Sequence, residues 1–171
     1  MKELPKNRAN FTQLTPLSFL YRTVEIFPKR LAWVYGKRKA TYIDFYIRCK
    51  NLAASIKKLN IKKGDVASVM LPNVPEMLEA HFGIPMSGAI LNSINTRLEK
   101  RNVEFILKHS KSKIFIFHED YLNVIKTISK QKNIKFIIVK DVKTISSKGS
   151  ITYENFLKKA SHSDIEKLHN Y

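Results

Sequence analysis

Cysteine is nearly absent from this sequence of 171 residues, which contains Cys49 and no other. A single thiol excludes an intramolecular disulfide framework and any metal site that needs two cysteines. This composition favours a reducing, intracellular setting, and we expect a cytoplasmic location. Cys49 lies on the apolar side of a helical pattern with no activating neighbour in sequence, which favours a buried packing thiol over a nucleophile.

Glycine is also scarce, and no two of the five glycines lie closer than five positions apart. The sequence therefore contains neither of two nucleotide-binding motifs, the G-x-G-x-x-G fingerprint and the G-x-x-x-x-G-K-[ST] loop. Backbone that approaches phosphates closely needs such glycines. The sequence thus provides no complete phosphate-binding loop, and we assign no cofactor-binding residue. The glycines are Gly36, Gly64, Gly83, Gly88 and Gly149.

Histidine and serine show none of the spacings that carry catalysis or metal binding. No H-E-x-x-H or Cys/His pattern exists, and serines such as Ser87 and Ser93 lie outside any G-x-S-x-G elbow. His118 follows a predicted buried strand, where a loop could collect functional groups, but a plain turn is favoured. His81 could face a cleft, but a histidine satisfied at a helix end is favoured. We assign no catalytic and no metal-binding residue.

Apolar runs are too short to span a bilayer. The longest mostly apolar stretch, Ala80–Ile94, is interrupted by Gly83, Pro85 and Gly88, whereas a spanning helix needs about 20 residues. Residues Met1–Pro16 contain neither a signal-peptide run nor a transit-peptide composition. We expect a soluble protein with no membrane span.

Acidic residues are few, and the net charge is +17. Such a charge raises the possibility of a nucleic-acid partner or an acidic protein partner. The lysines, however, are scattered along every segment at positions where surface residues are expected, and they form no stripe. Solvated surface lysines are therefore favoured, and nucleic-acid binding is disfavoured.

The sequence does contain a regular alternation of helical and strand patterns with short connections. This alternation is typical of an α/β domain with a largely parallel sheet flanked by helices. In chain order the patterns predict helix 17–27, a hairpin of strands 31–35 and 39–42, helix 43–59, strand 66–71, a helix opened by Pro75, strand 89–94, helix 99–109, strand 114–117, helix 121–130, strand 136–139, a polar loop over 142–150 and a short helix near 153–157.

The helix predicted over 43–59 has the clearest pattern. Its apolar residues recur at steps of four and three, which keeps them on one face. We expect this face to be buried and the charged residues between its members to face water. The buried set is Phe45, Cys49, Leu52, Ile56 and Leu59, and the water-facing set is Arg48, Lys50, Lys57 and Lys58.

Four segments have residue patterns similar to the sequence motifs of one enzyme family. They are Leu14–Leu20, Lys39–Tyr42, Ile61–Glu76 and Ala80–Leu98, of which the last is the most specific. In order and spacing they resemble the AMP-forming acyl-CoA and aryl-CoA synthetases of the adenylate-forming superfamily, the fatty-acid and medium-chain branch in particular. The resemblance implies an incomplete N-terminal subdomain of that fold.

The resemblance also divides the chain. Residues 1–13 are interpreted as an N-terminal extension and residues 14–160 as the N-terminal part of a synthetase domain. Residues 161–171 are polar and without a strong pattern, so we expect a poorly ordered tail. The family's phosphate loop, adenine and ribose motifs and catalytic lysine have no counterpart in this chain. Asn92, Asn95 and Arg97 match family positions, for which a structural role is favoured.

Members of this family activate a carboxylic acid with ATP to an acyl-adenylate and pass the acyl group to coenzyme A. The resemblance therefore implies ATP, Mg²⁺ and coenzyme A for a full-length enzyme, and none of them bound by this chain alone. We expect the isolated chain to be inactive and its partner to be the remainder of the synthetase, on the same chain or a second one. A non-enzymatic interaction remnant and half of a split enzyme are the alternatives.

Overall fold

A five-stranded parallel sheet and a separate two-stranded hairpin organise the chain. The computed structural model describes residues 5, 7, 9–11, 14–125, 128, 133–140, 151–166 and 168. In chain order the elements are α1 (Pro16–Ile26), β1 (Leu31–Tyr35), β2 (Arg38–Thr41), α2 (Tyr42–Lys58), β3 (Val66–Met70), α3 (Pro75–Met86), β4 (Ile90–Ser93), α4 (Lys100–His109), β5 (Ile114–His118), α5 (Leu122–Ile125), β6 (Lys135–Val139), β7 (Ile151–Thr152), α6 (Tyr153–Leu157) and α7 (His162–Glu166).

The strand order of the sheet is β4-β3-β5-β6-β7, and every pairing in it is parallel. β3 lies between β4 and β5, so that Ser68 is opposite Asn92 on one side and Phe115 on the other. β1 and β2 pair antiparallel, as the sequence pattern predicts. The predicted α/β class with a parallel sheet flanked by helices is confirmed.

Helices cover both faces of the sheet, because the buried strands are apolar on both sides. One face packs against α2, α3 and α6, and the other against α4 and α5. A third cluster joins the outer side of α2 to α1 and to Leu168. The sheet therefore has one helical layer on one side and two on the other.

Helices α1 and α2 both begin with a capping box, and their N-cap residues lie in two of the segments that resemble the enzyme family. Thr15 and Ser18 form a capping box at α1, with Pro16 in the first turn, and Thr41 and Asp44 form another at α2. Each cap pairs backbone N–H groups that a helix start would otherwise leave without partners. The hydrogen bonds with Thr41 lower the pKa of Asp44, and these caps fix where the chain turns from the hairpin into α2.

The prediction for α2 is confirmed on its apolar side and wrong for one charged residue. Phe45, Cys49, Leu52 and Ile56 are buried, and Leu59 packs at the edge of the same core. Arg48, however, does not face open water. Its side chain is 25% exposed and forms ion pairs with two carboxylates, because helices α3 and α6 place their acids beside it.

The C-terminal region also differs from the prediction. We expected poor order from Ser161 onward, but His162–Glu166 form α7 and Leu168 is buried against α2. Lys58 at the end of α2 forms an ion pair with Asp164 of α7, with 2.8 Å between the charged atoms. The predicted polar loop over 142–150 and much of the second half of the predicted helix 121–130 lie outside the described residues.

Candidate functional site

The carboxyl edge of the parallel sheet is the first place to seek a site, because open α/β sheets bind ligands there. Asn95 and Arg97 follow β4 at this edge, and both are exposed. Asn95 Oδ1 accepts a hydrogen bond from the Arg97 backbone N–H at 2.9 Å, and the Asn95 carbonyl accepts one from Leu98. These contacts make a turn, so Asn95 serves the backbone.

His118 ends β5 at the same edge and is buried. Its Nδ1 lies 3.4 Å from the backbone nitrogen of Asp120 and 3.1 Å from the Asp120 carboxylate. The backbone contact caps a single 3₁₀ turn over Glu119–Tyr121. The predicted turn after this strand is therefore confirmed.

Asn92 lies within the sheet and belongs to a chain of polar side chains. Its Nδ2 donates to Ser68 Oγ at 2.8 Å, and Ser68 Oγ lies 2.5 Å from Ser112 Oγ. Ser110 Oγ is 2.6 Å from Ser112 Oγ and extends the chain to the end of α4. Ser68 and Ser112 are buried, so each hydroxyl needs the partner that it has here. This arrangement supports the structural role that the sequence favours for Asn92.

His81 is exposed and lies in the middle of α3, not at its end as predicted. Its Nδ1 lies 2.8 Å from the Met77 carbonyl oxygen, one turn earlier in the helix. The ring is thus satisfied by its own helix. It lines a groove between the hairpin and α3, where no carboxylate among the described lining residues would orient it as a catalytic base.

The described glycines do not form a phosphate cradle. Gly64 and Gly88 both have φ of +88° and lie at the amino edge of the sheet, where the Gly64 N–H donates to the Gly88 carbonyl. Gly83 lies where α3 crosses α2, and a Cβ there would stand 2.8 Å from Leu52 Cδ2 and 2.9 Å from the Cys49 carbonyl oxygen. It is therefore a helix-packing residue.

No glycine among the described residues opens backbone N–H groups at the carboxyl edge, where a bound phosphate would need them. Within the described part of the chain, no group of three His, Cys, Asp or Glu side chains could hold a metal ion. The same residues include no helix long and apolar enough to cross a membrane.

A network of charges, buried at Glu79 and exposed at Glu154, joins three helices instead. Arg48 Nε donates to Glu79 Oε1 at 2.5 Å, and its two terminal nitrogens contact Glu154 at 2.6 and 3.1 Å. Tyr153 Oη donates to the other Glu79 oxygen at 2.9 Å. The Glu79 side chain has no exposed surface, and each of its two carboxylate oxygens accepts a hydrogen bond.

The surroundings of this network shift the pKa of each acid. Burial raises the pKa of Glu79 despite the opposing effect of Arg48, and burial raises the pKa of Tyr153 well above its usual value. The hydrogen bonds from Arg48 lower the pKa of Glu154. Burial also raises the pKa of the Cys49 thiol, which agrees with the predicted packing role.

Sequence reasoning missed this network. Glu79 and Glu154 are 31 and 106 residues from Arg48, so no local spacing connects them. The one available signal was the place of Arg48 directly before Cys49 on the flank of the buried face. At such a position a long cationic side chain either reaches water or meets an acid from a packed neighbour.

Comparison with known proteins identifies the family. The model of the family described as AMP-binding enzyme matches residues 20–169, which is most of the chain. The chain belongs to this family. The AMP-binding enzyme match begins in α1 and ends beyond α7, so it includes both the hairpin and the sheet.

Two curated relatives are peroxisomal CoA ligases of plants. The chain is 44% identical over 147 residues to a trans-cinnamate:CoA ligase of Petunia hybrida, an alignment that covers 85% of this chain and 26% of the relative. It is 36% identical over 184 residues to a butyrate–CoA ligase of Arabidopsis thaliana, with 99% and 32% covered. The chain thus spans about a quarter to a third of the length of these relatives.

A solved structure shares the fold. The crystal structure of the anthranilate CoA ligase AuaEII in complex with anthranoyl-AMP superposes with a TM-score of 0.78 at 19% identity. The superposition covers 84% of this chain and 28% of the solved one. The fold of this chain is therefore that of a part of the adenylate-forming CoA ligases.

Proposed function

We propose that this chain contributes the N-terminal α/β portion of an AMP-forming acyl-CoA synthetase. The observation that carries the proposal is the family match over residues 20–169, together with relatives whose names are those of CoA ligases. The whole enzyme would use ATP and Mg²⁺ to activate a carboxylic acid as its adenylate, and would then transfer the acyl group to coenzyme A. In this proposal the present chain supplies scaffold to that enzyme.

The proposal includes that the chain alone does not form acyl-adenylates. Developing charge on phosphates has to meet donors already held in place, and the described residues offer no such cradle. Exposed lysines do not replace it because their amines are mobile.

An assay of ATP–pyrophosphate exchange with the isolated chain tests this point. We expect no exchange above a protein-free blank with butyrate, medium-chain acids or cinnamate. A full-length CoA ligase of the same family serves as the positive control. Clear exchange by the isolated chain would show that it holds a complete adenylation site, and the scaffold role would be wrong.

The acid is proposed only as a class. The resemblance points to the fatty-acid branch, and one relative is named for butyrate, while another is named for cinnamate. Both names are compatible with a carboxylic acid that bears an apolar group. Chain length therefore stays a prediction, tested by the acid preference of a chimera in which this chain replaces the matching part of a full-length relative.

The cytoplasmic location also stays a prediction. Both relatives are named as peroxisomal, so peroxisomes are the competing location for the whole enzyme. Imaging of the chain with a small tag against a peroxisomal marker distinguishes the two. Within the family, the split-enzyme alternative and the interaction remnant both require a partner surface, for which the structure offers one candidate.

A further inference from the structure

An apolar surface lies between α1, the hairpin and α3. It consists of a groove of about 340 Å³ beside β1 and a groove of about 560 Å³ beside α1. Both grooves are lined by Leu78, so they form one continuous surface. We define this apolar surface by Leu14, Phe19, Trp33, Val34, Tyr35 and Leu78.

The charge pattern separates this surface from the rest of the chain. Among the described residues no Lys, Arg, Asp or Glu lines either groove, although 26% of the sequence is charged and the net charge is +17; Arg38 lies beside the surface, with its guanidinium carbon 5.8 Å from the centre of the Trp33 ring. A phosphate, a nucleic acid or an anionic lipid would need cations there. A lining without charged side chains, within the described part of the chain, instead fits an apolar protein surface as occupant.

The exposed side chains give the same indication. Leu14, Phe19 and Val34 are 76%, 59% and 65% exposed, on three successive parts of one surface. Single exposed apolar residues need no explanation, but a contiguous group of them marks an interaction site.

Trp33 adds a polar requirement. Its Nε1 is buried and has no hydrogen-bond partner among the described residues, and the ring lines the groove beside β1. An unsatisfied buried donor is costly, so a small rotation of the ring that brought Nε1 to a backbone carbonyl of a docked polypeptide would relieve that cost.

We infer that this apolar surface is the docking site for the polypeptide that corresponds to the rest of a CoA ligase. The inference rests on the proposed function. This occupant is chosen because the two relatives and the solved ligase each have about two thirds or more of their own chain outside the part that matches here. In those proteins the matched portion adjoins much more polypeptide, which needs an apolar contact surface, and this surface has the exposed apolar side chains that such a contact would bury.

The test is a two-chain reconstitution. This chain is co-expressed, with an affinity tag, together with the part of the Petunia hybrida trans-cinnamate:CoA ligase that it does not match. Three variants are compared with the unsubstituted chain: Phe19→Lys and Val34→Lys on the apolar surface, and Phe105→Lys as the matched control. Phe105 is 65% exposed, as is Val34, but it lies on α4 and lines neither groove.

We expect the unsubstituted chain and Phe105→Lys to co-purify with the complementary polypeptide. Phe19→Lys and Val34→Lys should weaken that complex by about tenfold or more, as a charge buried at the centre of an interface does. Because all three side chains are exposed, the melting temperature of the tagged chain alone should not change, which separates docking from folding.

Three outcomes would overturn the inference. They are equal binding by Phe19→Lys, Val34→Lys and the unsubstituted chain, no complex with the unsubstituted chain, or a self-dimer of this chain that the two variants dissociate and that excludes the complementary polypeptide. Co-purification is measured without ATP or acid. If the unsubstituted complex forms but shows no ATP–pyrophosphate exchange, the proposed function is wrong and the docking site stands. If the Val34→Lys chain forms the complex as well as the unsubstituted chain does, and that complex shows exchange, the docking site is wrong and the proposed function stands.

Discussion

Removal of Arg48 provides the sharpest test of the buried network. In Arg48→Met the Glu79 carboxylate keeps its buried place, with no exposed side-chain surface, and loses the cation that lies 2.5 Å away. Breaking a buried ion pair from one side costs about 3–5 kcal/mol. Since Arg48 itself is 25% exposed, we expect the lower end of the range, about 3 kcal/mol. That is a large part of the free energy of unfolding of a typical domain, about 5–15 kcal/mol.

The assay is urea unfolding at pH 7 and again near pH 5. Burial already raises the pKa of Glu79, and loss of Arg48 raises it further. A carboxyl group with a raised pKa in the folded state carries its full penalty above that pKa, and loses the penalty as the pH falls toward the unfolded value of about 4.3. The depressed pKa of Glu154 does not contribute between pH 7 and pH 5, because the stability that it gives the unsubstituted chain is lost only as the pH falls below the unfolded value of about 4.3.

The difference in unfolding free energy between Arg48→Met and the unsubstituted chain should therefore shrink from pH 7 to pH 5. The control is Lys113→Met, which removes a half-exposed lysine from the ion pair with Asp65 and should leave the urea midpoint nearly unchanged. In the double variant with Glu79→Gln, part of the loss should return. A loss below about 1 kcal/mol, the value of a surface pair, or a difference that does not depend on pH would refute the reasoning.

Two further predictions concern the contact between α2 and α3. Gly83→Ala should destabilise the chain by about 1–3 kcal/mol in urea unfolding, because its new methyl group overlaps Leu52 Cδ2 and the Cys49 carbonyl oxygen; a gain in stability, as at an open helix position, would contradict the packing role. The Cys49 thiol has no exposed surface, so a thiol reagent should label it in the native chain only as fast as the chain opens, and much faster in urea. Rapid labelling of the native chain would mean that this contact is looser than described.

The elements themselves were largely predictable from the sequence, because their signals are local. The capping residues Thr15 and Thr41 and the steps of four and three along α2 each act within a few positions. The buried strands were visible as short apolar runs between turns. Local chemistry of this kind does not depend on the rest of the fold.

The contacts between elements were less predictable. Arg48 was placed in water because helical periodicity assigns charge to the outer face, whereas the acids that hold it come from α3 and α6. Helix α7 was missed because its apolar residues are few, and it gains stability from Leu168 and from the ion pair between Lys58 and Asp164. Tertiary packing decided both cases, and at most the position of Arg48 on the flank of the buried face hints at it in the sequence.

At the candidate site, the family resemblance and the chemistry of single residues predicted different features. The resemblance identified the family correctly and marked Asn92 as a family position. Its hydrogen bond to Ser68 becomes visible only when β3 and β4 lie side by side. The absence of a glycine cradle could be read from the sequence directly, since it depends on residue type alone.

The order of the strands has a consequence for how the chain folds during synthesis. β3 and β4 form the first pair, and β5, β6 and β7 are then added one after another on the other side, so each new strand finds its neighbour already made. Helices α6 and α7 have to return to the first long helix, where Glu154 meets Arg48 across 106 residues and Asp164 meets Lys58. Closing so long a loop is slow but thermodynamically inexpensive. A ribosome-bound chain that ends before Glu154 would therefore hold Arg48 paired with Glu79 alone.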